Sequence, residues 1–286
     1  MVSPLKGMLL AIGSSGVALI GIPSLAHADT ITGSIYNNTA YAQTSNSAPT
    51  SPVGYFFDIG ASFSVAGDFT SGTATYPGPG SPLALPSTGP TSIGFGSPLY
   101  PSLAALHSDY PFGTYTITAN GPGGTQTAAI PYAADFFESS AVPYLTNYSS
   151  LVGHNPNAGI TITYPSYTPN PGTTPGDQFT FLTIYDASTG TPVFSDEFQP
   201  PSSTSAFVPA GTFAANTAYD YEIDFSNRLD ILDTVNGTFT QQGFDVRTDG
   251  SFTTGAAAPV PEPGSLILMS AGLASLAFLR RSRKSA

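Results

Sequence analysis

The amino-acid sequence predicts an all-β protein, and three observations carry this prediction. The chain of 286 residues contains 30 glycines and 27 prolines, which favour turns and interrupt helices. Apolar and polar side chains alternate with a period of two in several segments, as they do in half-buried antiparallel strands. The chain also has 19 phenylalanines and 15 tyrosines, so we expect a folded core and not a disordered body.

Residues 1–28 have the parts of a secretory signal peptide. Lys6 provides a basic start, an apolar run extends from Met8 to Ile22, and small residues close the segment. Small residues at the positions that a signal peptidase reads predict cleavage after residue 28. The predicted cleavage site consists of Ala26, Ala28 and Asp29.

The alternating segments follow in order along the body. Residues 55–65, 113–121 and 159–164 each place apolar side chains on one face. In segment 179–186 the alternation of apolar and polar residues shifts by one position. This shift predicts either a bulge or a strand that is buried on both sides. In segment 218–226 the aromatic residues are expected to face inward, and three acids are expected to face water, namely Asp220, Glu222 and Asp224.

Two segments of similar layout, 109–121 and 211–227, predict two consecutive domains. Each has a turn with glycine and then an aromatic alternating strand, as in the late core strands of a β-sandwich. We expect antiparallel sandwiches of the immunoglobulin or fibronectin III type at residues 29–150 and 151–257. One continuous jelly roll is the alternative.

Proline-rich stretches at 76–101 and 165–176 are interpreted as long loops between strands, because strands resume directly after them. Outside the two ends of the chain, only single helical turns are expected, near residues 101–108 and 134–140.

The charge of the body excludes some partners. From Asp29 to Val260 there are seventeen acidic and two basic residues, the latter being Arg228 and Arg247. Such a negative body repels nucleic acid and anionic lipid, so we expect no nucleic-acid partner. The chain has no cysteine, which excludes disulfides, thiolate metal sites and cysteine nucleophiles.

The sequence shows no catalytic constellation. His107 and His154 lie in loop-like contexts, and there is no Gly-x-Ser-x-Gly elbow. Asp196 and Glu197 are adjacent and would point to opposite faces of a strand, and Glu138 is a lone acid beside aromatic residues. We therefore expect a protein that is not an enzyme and has no cofactor.

The acids of segment 218–226 raise the question of calcium. On one strand face they stand about 7 Å apart, too far to chelate one ion without ligands from loops. We interpret Asp220, Glu222 and Asp224 as a solvated acidic face and expect no metal site.

The segment 258–286 has a spacer followed by three parts: Pro261-Glu262-Pro263, an apolar run and a basic end. As a helix, residues 264–279 would reach about 24 Å, which is marginal against a hydrocarbon core of about 30 Å. The positive-inside rule would keep the basic end on the cytoplasmic side.

This arrangement resembles a PEP-CTERM sorting signal over residues 260–284. The resemblance implies processing by an exosortase, a membrane enzyme of Gram-negative bacteria that also make exopolysaccharide. It implies cleavage at or near the motif and transfer of the body to the envelope or matrix. The implied motif residues are Pro261, Glu262 and Pro263, with Arg280, Arg281 and Arg283 at the basic end.

Together these observations favour an exported structural or adhesive protein of the outer envelope, cell surface or biofilm matrix. The alternatives are a carbohydrate-binding surface protein and a secreted hydrolase. The expected partners are signal peptidase and exosortase during export, and exopolysaccharide or other matrix components afterwards. Contact with the membrane is expected to be transient, through the C-terminal helix.

Overall fold

The computed structural model describes residues 30–122, 124–137, 141–233 and 238–257. The predicted signal peptide and the sorting segment therefore lie outside the described residues. The described part is mostly β, which confirms the predicted class. Its elements are β1 (Thr32–Gln43), β2 (Gly54–Ser62), β3 (Ser71–Thr75), β4 (Leu83–Gly89), β5 (Ser92–Gly96), α1 (Leu103–Asp109), β6 (Gly113–Gly121), β7 (Gly124–Tyr132), a 3₁₀ turn (Tyr148–Ser150), β8 (Ile160–Thr163), β9 (Gln178–Asp186), β10 (Pro192–Gln199), β11 (Ser205–Val208), β12 (Ala218–Asp233) and β13 (Thr238–Thr253).

Eleven of these strands form one sheet in the order β10-β9-β12-β13-β1-β2-β5-β4-β3-β6-β7. Strands β8 and β11 pair separately. The pairing of β1 with β13 is parallel, with Ser34 beside Gln241 and Gln43 beside Gly250. The expectation of purely antiparallel sheets is therefore wrong at this position. The first and last strands of the body lie side by side and run in the same direction.

The β12–β13 hairpin joins two hydrophobic clusters. The strands pair without a register shift from Ala218 opposite Thr253 to Asp233 opposite Thr238. Phe244 of β13 belongs to the first cluster, which otherwise draws on residues 31–132. Tyr221 and Phe252 belong to the second cluster, which draws on residues 145–252. The boundaries of the two domains stay a prediction, because one continuous sheet passes through both clusters.

Burial confirms most of the predicted alternation. Phe57, Ile59, Ala61 and Phe63 are buried, but Val65, expected on the same face, is half exposed because β2 ends at Ser62. Strand β9 keeps a continuous register with β12 and is buried on both faces from Thr180 to Tyr185. Of the two explanations for its parity change, burial on both sides is the correct one.

Two further expectations need correction. The stretch 76–101 is not a loop, because it contains β4 and β5; Pro86 lies within β4, which pairs with β3 and β5. In segment 218–226 the aromatic side chains are buried as expected, but Glu222 is also buried and Asp224 is partly buried. Since β12 lies between β9 and β13, neighbouring strands cover these two acids.

The helical turn expected near 101–108 is confirmed as α1. The side chain of Ser102 accepts a hydrogen bond from the backbone nitrogen of Ala105, as an N-cap residue does. Residues 134–137 are irregular, and residues 138–140, which complete the second expected turn, lie outside the described part.

Candidate functional site

Five neighbouring strands, β9, β12, β13, β1 and β2, align polar residues on one face of the large sheet. Asp224 of β12 lies opposite Arg247 of β13, and Asn38 of β1 lies beside Asp245 of β13. Residues paired in register on adjacent strands share a face of the sheet. The alignment therefore gathers charges that are up to 189 residues apart in the chain, since Asp58 of β2 is on the same face as Arg247 of β13.

A cavity of about 380 Å³ opens on this face, and we call it the carboxyl cavity. Its charged lining consists of four acids and one base: Asp58, Glu222, Asp224, Asp245 and Arg247. Apolar walls come from Phe56, Ile59, Ile93 and Phe181. Small polar residues complete the lining: Ser34, Asn38, Ser62, Thr88, Thr91 and Ser92.

Arg247 is fully engaged by acids. Its Nη2 atom lies 2.8 Å from Oε2 of Glu222, and its Nε atom donates to Oδ1 of Asp249 at 2.7 Å. The hydroxyl of Tyr185 donates to the other oxygen of Glu222 at 2.6 Å. Glu222 therefore has a partner for each oxygen, and Arg247 holds its charge next to two carboxylates.

The other three acids of the cavity have raised pKa values. Burial raises the pKa of Asp58 to about 7, and the nearby charge of Asp245 adds to this. Burial raises the pKa of Asp245 to about 6, although Arg228 opposes the shift. Burial raises the pKa of Asp224 well above its usual range, and the charge of Glu222 adds to it. A low-dielectric environment disfavours the charged form of a carboxyl group.

The hydrogen bonds of these acids are few within the described residues. Nδ2 of Asn38 donates to Oδ2 of Asp58 at 3.1 Å. The Oδ1 atom of Asp245 is buried and has no hydrogen-bond partner among the described residues. A buried polar atom without a partner costs free energy, so the described residues leave this acceptor unsatisfied at a residue that lines the cavity.

Arg228, the second basic residue of the body, lies on the same face beyond the cavity. Its guanidinium carbon is 5.7 Å from the ring centroid of Tyr36, 5.4 Å from that of Phe179, 5.2 Å from that of Phe181 and 5.9 Å from that of Phe198. Its Nε atom donates to Oγ of Ser226 at 3.2 Å. The aromatic rings hold this cation by cation–π attraction and keep it 96% buried.

A second polar cluster surrounds His107. Its Nε2 atom lies 3.2 Å from Oδ2 of Asp135 and 3.1 Å from the hydroxyl of Tyr132. Tyr132 donates to Oδ1 of Asp135 at 2.8 Å, and Nδ2 of Asn37 donates to the same atom at 2.7 Å. The cluster ties α1, β1 and β7 to the segment after β7. The expectation that His107 lies in a loop is wrong, because it belongs to α1.

The structure does not bring the other candidate residues together. His154 lies in a turn, where Nε2 is 3.0 Å from the carbonyl oxygen of Ala158. Glu197 accepts from Ser195, and Asp196 accepts from Gln199, both within β10. Glu138 lies outside the described residues, as do Ala26, Ala28 and Asp29.

No local pattern in the sequence predicts the carboxyl cavity. One sequence feature could have indicated it: the only two basic residues of the body, Arg228 and Arg247, lie within segments that alternate and contain acidic residues. No group of three or more His, Asp and Glu side chains in the described part is arranged to hold a metal ion.

The tail provides the comparison with a known family. The family model of the PEP-CTERM protein-sorting motif matches residues 259–284. The chain carries a PEP-CTERM sorting motif. The resemblance of residues 260–284 is thereby confirmed, and the motif implies recognition by an exosortase and export to the cell envelope or surface. The motif itself lies outside the described residues. Within them, no helix combines the length and the hydropathy needed to cross a bilayer.

Two solved structures are weakly similar to the chain. One is a Ca²⁺-stabilized adhesin that helps an Antarctic bacterium bind ice, with 13% identity, a TM-score of 0.25, and coverage of 79% of this chain and 50% of that one. The other contains the FN1–FN3 domains of chicken CNTN1, with 10% identity, a TM-score of 0.24, and coverage of 71% and 64%. The PEP-CTERM chain thus spans less than two thirds of either structure, and at these TM-scores neither function extends to it. No curated protein matches the sequence.

Proposed function

We propose that this chain is a structural or adhesive protein, without enzymatic activity, of the cell envelope or extracellular matrix. The observation that carries the proposal is the sorting motif at residues 259–284. It follows a β-rich body whose last strand ends at Thr253. An exosortase would recognise the motif, remove the tail and release the body from its transient membrane contact.

Several properties of the body support this proposal. Its acidic charge favours solubility outside the cell and repulsion from anionic lipid. Two hydrophobic clusters, one drawn mainly from residues 31–132 and one from residues 145–252, favour two β-sandwich units, which we propose at residues 29–150 and 151–257. Signal peptidase would cut between Ala28 and Asp29 to begin the mature chain.

The test is to follow the fate of the C-terminus in the host. Cells with and without the exosortase are fractionated, and the C-terminal peptide of the protein is determined by mass spectrometry. We expect a C-terminus at or near Pro261-Glu262-Pro263 in wild-type cells, with the body in the envelope or matrix fraction. Without the exosortase, we expect an intact tail and retention in the inner-membrane fraction.

A matched pair of variants separates recognition of the motif from loss of folding. Glu262→Ala should retain the tail, whereas Glu197→Ala, at an exposed acid of β10, should be processed like the wild type. A tail that ends at Ala286 in wild-type cells contradicts the proposal. Loss of biofilm cohesion in a deletion strain would support the structural role, and unchanged cohesion would contradict it.

The carboxyl cavity favours a second candidate function, carbohydrate binding. The cavity combines phenylalanine walls with carboxyl, amide and hydroxyl groups, as sites for polar organic ligands do. Its volume of about 380 Å³ is in the range of small-molecule sites. Binding of matrix polysaccharide by the body would complement its delivery to the matrix.

A further inference from the structure

We propose that the carboxyl cavity binds an amino sugar, and that Asp58 and Asp245 hold the free ammonium group of that sugar. The inference rests on the second candidate function, carbohydrate binding, and names the class of sugar. It does not depend on how the tail is sorted.

Charge complementarity is the first argument. Four carboxyl groups and one guanidinium line the cavity. The guanidinium of Arg247 is already shared between Glu222 and Asp249. Arg228 lies outside the lining, among four aromatic rings. Asp58, Asp224 and Asp245 consequently form no ion pair among the described residues, and an anionic ligand would be repelled from them.

Asp245 has an acceptor that the described residues do not use. Oδ1 of Asp245 is buried and accepts no hydrogen bond from the described residues. Ligand N–H groups would satisfy such an acceptor, and hydrogen bonds between charged groups are the strong ones. An ammonium group brings three N–H donors and one positive charge, which suits a cavity lined by the carboxyl groups of Asp58 and Asp245.

The apolar walls of the cavity suit a sugar ring. Phe56 and Phe181 lie on opposite sides of the charged strands, on β2 and β9. Their rings can pack against the C–H faces of a sugar ring. Hydroxyl groups of the sugar can meet Ser34, Ser62 and Ser92 and the backbone of the segment 88–91. A bare polyamine would leave these walls and hydroxyl groups unused.

The test compares two ligands that differ only in the ammonium group. The exported protein, as isolated from its host, is titrated by calorimetry with a glucosamine tetramer and with an N-acetylglucosamine tetramer. We expect the glucosamine tetramer to bind at least about tenfold more tightly, because acetylation removes the charge and its hydrogen bonds. Spermidine and trilysine, which carry amines without a sugar, should bind more weakly than the glucosamine tetramer.

Substitutions assign the binding to the cavity. Asp245→Asn and Asp58→Asn keep the shape of the side chain and remove its charge, so each should weaken glucosamine binding by about tenfold. Asp220→Asn, at an exposed acid of β12, is the matched control and should bind like the wild type. Unfolding curves of all three variants show whether they are folded, and either of the two cavity variants suffices for the test.

Each other outcome has a defined meaning. Equal binding of both tetramers overturns the amino-sugar inference and leaves carbohydrate binding in place. No binding of either tetramer overturns both. Binding of spermidine or trilysine as tight as that of the glucosamine tetramer overturns the assignment to a sugar, and unchanged affinity in both cavity variants overturns the assignment to this cavity.

Discussion

The Nη2 atom of Arg247 lies 2.8 Å from the Oε2 atom of Glu222, and the side chain of Glu222 is only 7% exposed. The ion pair connects β12 and β13, and the hydroxyl of Tyr185 attaches it to β9. An alternating strand was expected to turn Glu222 toward water. The ion pair explains why that expectation is wrong: the neighbouring strands bring a cation and a hydroxyl to the acid.

Replacing Arg247 tests this ion pair. Arg247→Met would remove the cation that pairs with Glu222 and Asp249, and would leave these two carboxylates close together and largely shielded from water. Breaking a buried pair on one side is strongly destabilising, and since Arg247 is 17% exposed we expect a loss of about 2–4 kcal/mol in the free energy of unfolding. Urea unfolding measures the loss. The double variant Arg247→Met/Glu222→Gln should recover part of it; a double variant no more stable than Arg247→Met would contradict the pairing.

The raised pKa values of the cavity acids predict a pH dependence of stability. Burial raises the pKa of Asp58 from 3.8 to about 7 and that of Asp245 to about 6. The folded state therefore binds these protons more tightly than the unfolded state. The stabilisation is complete below about pH 4 and is lost as the pH rises through about 6 to 7, so these groups make the protein less stable at neutral pH.

Asp58→Asn should remove the contribution of Asp58 to this pH dependence. The amide oxygen still accepts from Asn38, and no charge is desolvated. Near pH 7.5 the variant should exceed the wild type in free energy of unfolding by about 4 kcal/mol, and near pH 4 the two should be nearly equal. Glu197→Gln, at an exposed acid, should show no such difference. A variant that is less stable than the wild type at both pH values would contradict the assigned cause.

The His107 cluster makes the hydroxyl of Tyr132 important for stability. That hydroxyl donates to Asp135 and accepts from Asn37 at 2.7 Å, and the ring is buried. Tyr132→Phe should lower the free energy of unfolding by about 1–2 kcal/mol, because the buried Asn37 and the partly buried Asp135 each lose a partner. Tyr115→Phe is the control, because its hydroxyl donates to one carbonyl, that of Pro111. A larger loss in Tyr115→Phe than in Tyr132→Phe would count against the cluster.

Gly243 is required beside the ring of Tyr36. The two residues are register partners on β13 and β1, and a Cβ atom at Gly243 would overlap the ring of Tyr36. Gly243→Ala should therefore destabilise the protein by about 1–3 kcal/mol, as overpacking does. Gly89→Ala serves as the control, since its Cβ would meet only the mobile hydroxyl of Ser92. Thermal unfolding of both variants measures the difference. Equal melting temperatures would show that the ring of Tyr36 moves aside without cost and would contradict the prediction.

The elements of the fold were largely predictable because alternation is a local property. Segments 55–65, 113–121 and 218–226 each became a strand, and the short helix near residue 105 formed where it was expected. The strands β4 and β5 were not predicted, because the alternation between residues 76 and 101 is weak and is interrupted by prolines. The burial of Glu222 was not predicted, because burial depends on which strands become neighbours in the sheet.

The sorting motif could be located from the amino-acid sequence alone, because it is a short contiguous signal that a processing enzyme reads in order. The strands could be located for a similar reason, since a period of two is visible within a single segment. The carboxyl cavity depends on the folded chain. Its acids come from β2, β12 and β13, and only the parallel pairing of the first and last strands of the body brings Asp58 and Asp245 to one face. Register between distant strands is a property of the whole sheet, and no local pattern contains it.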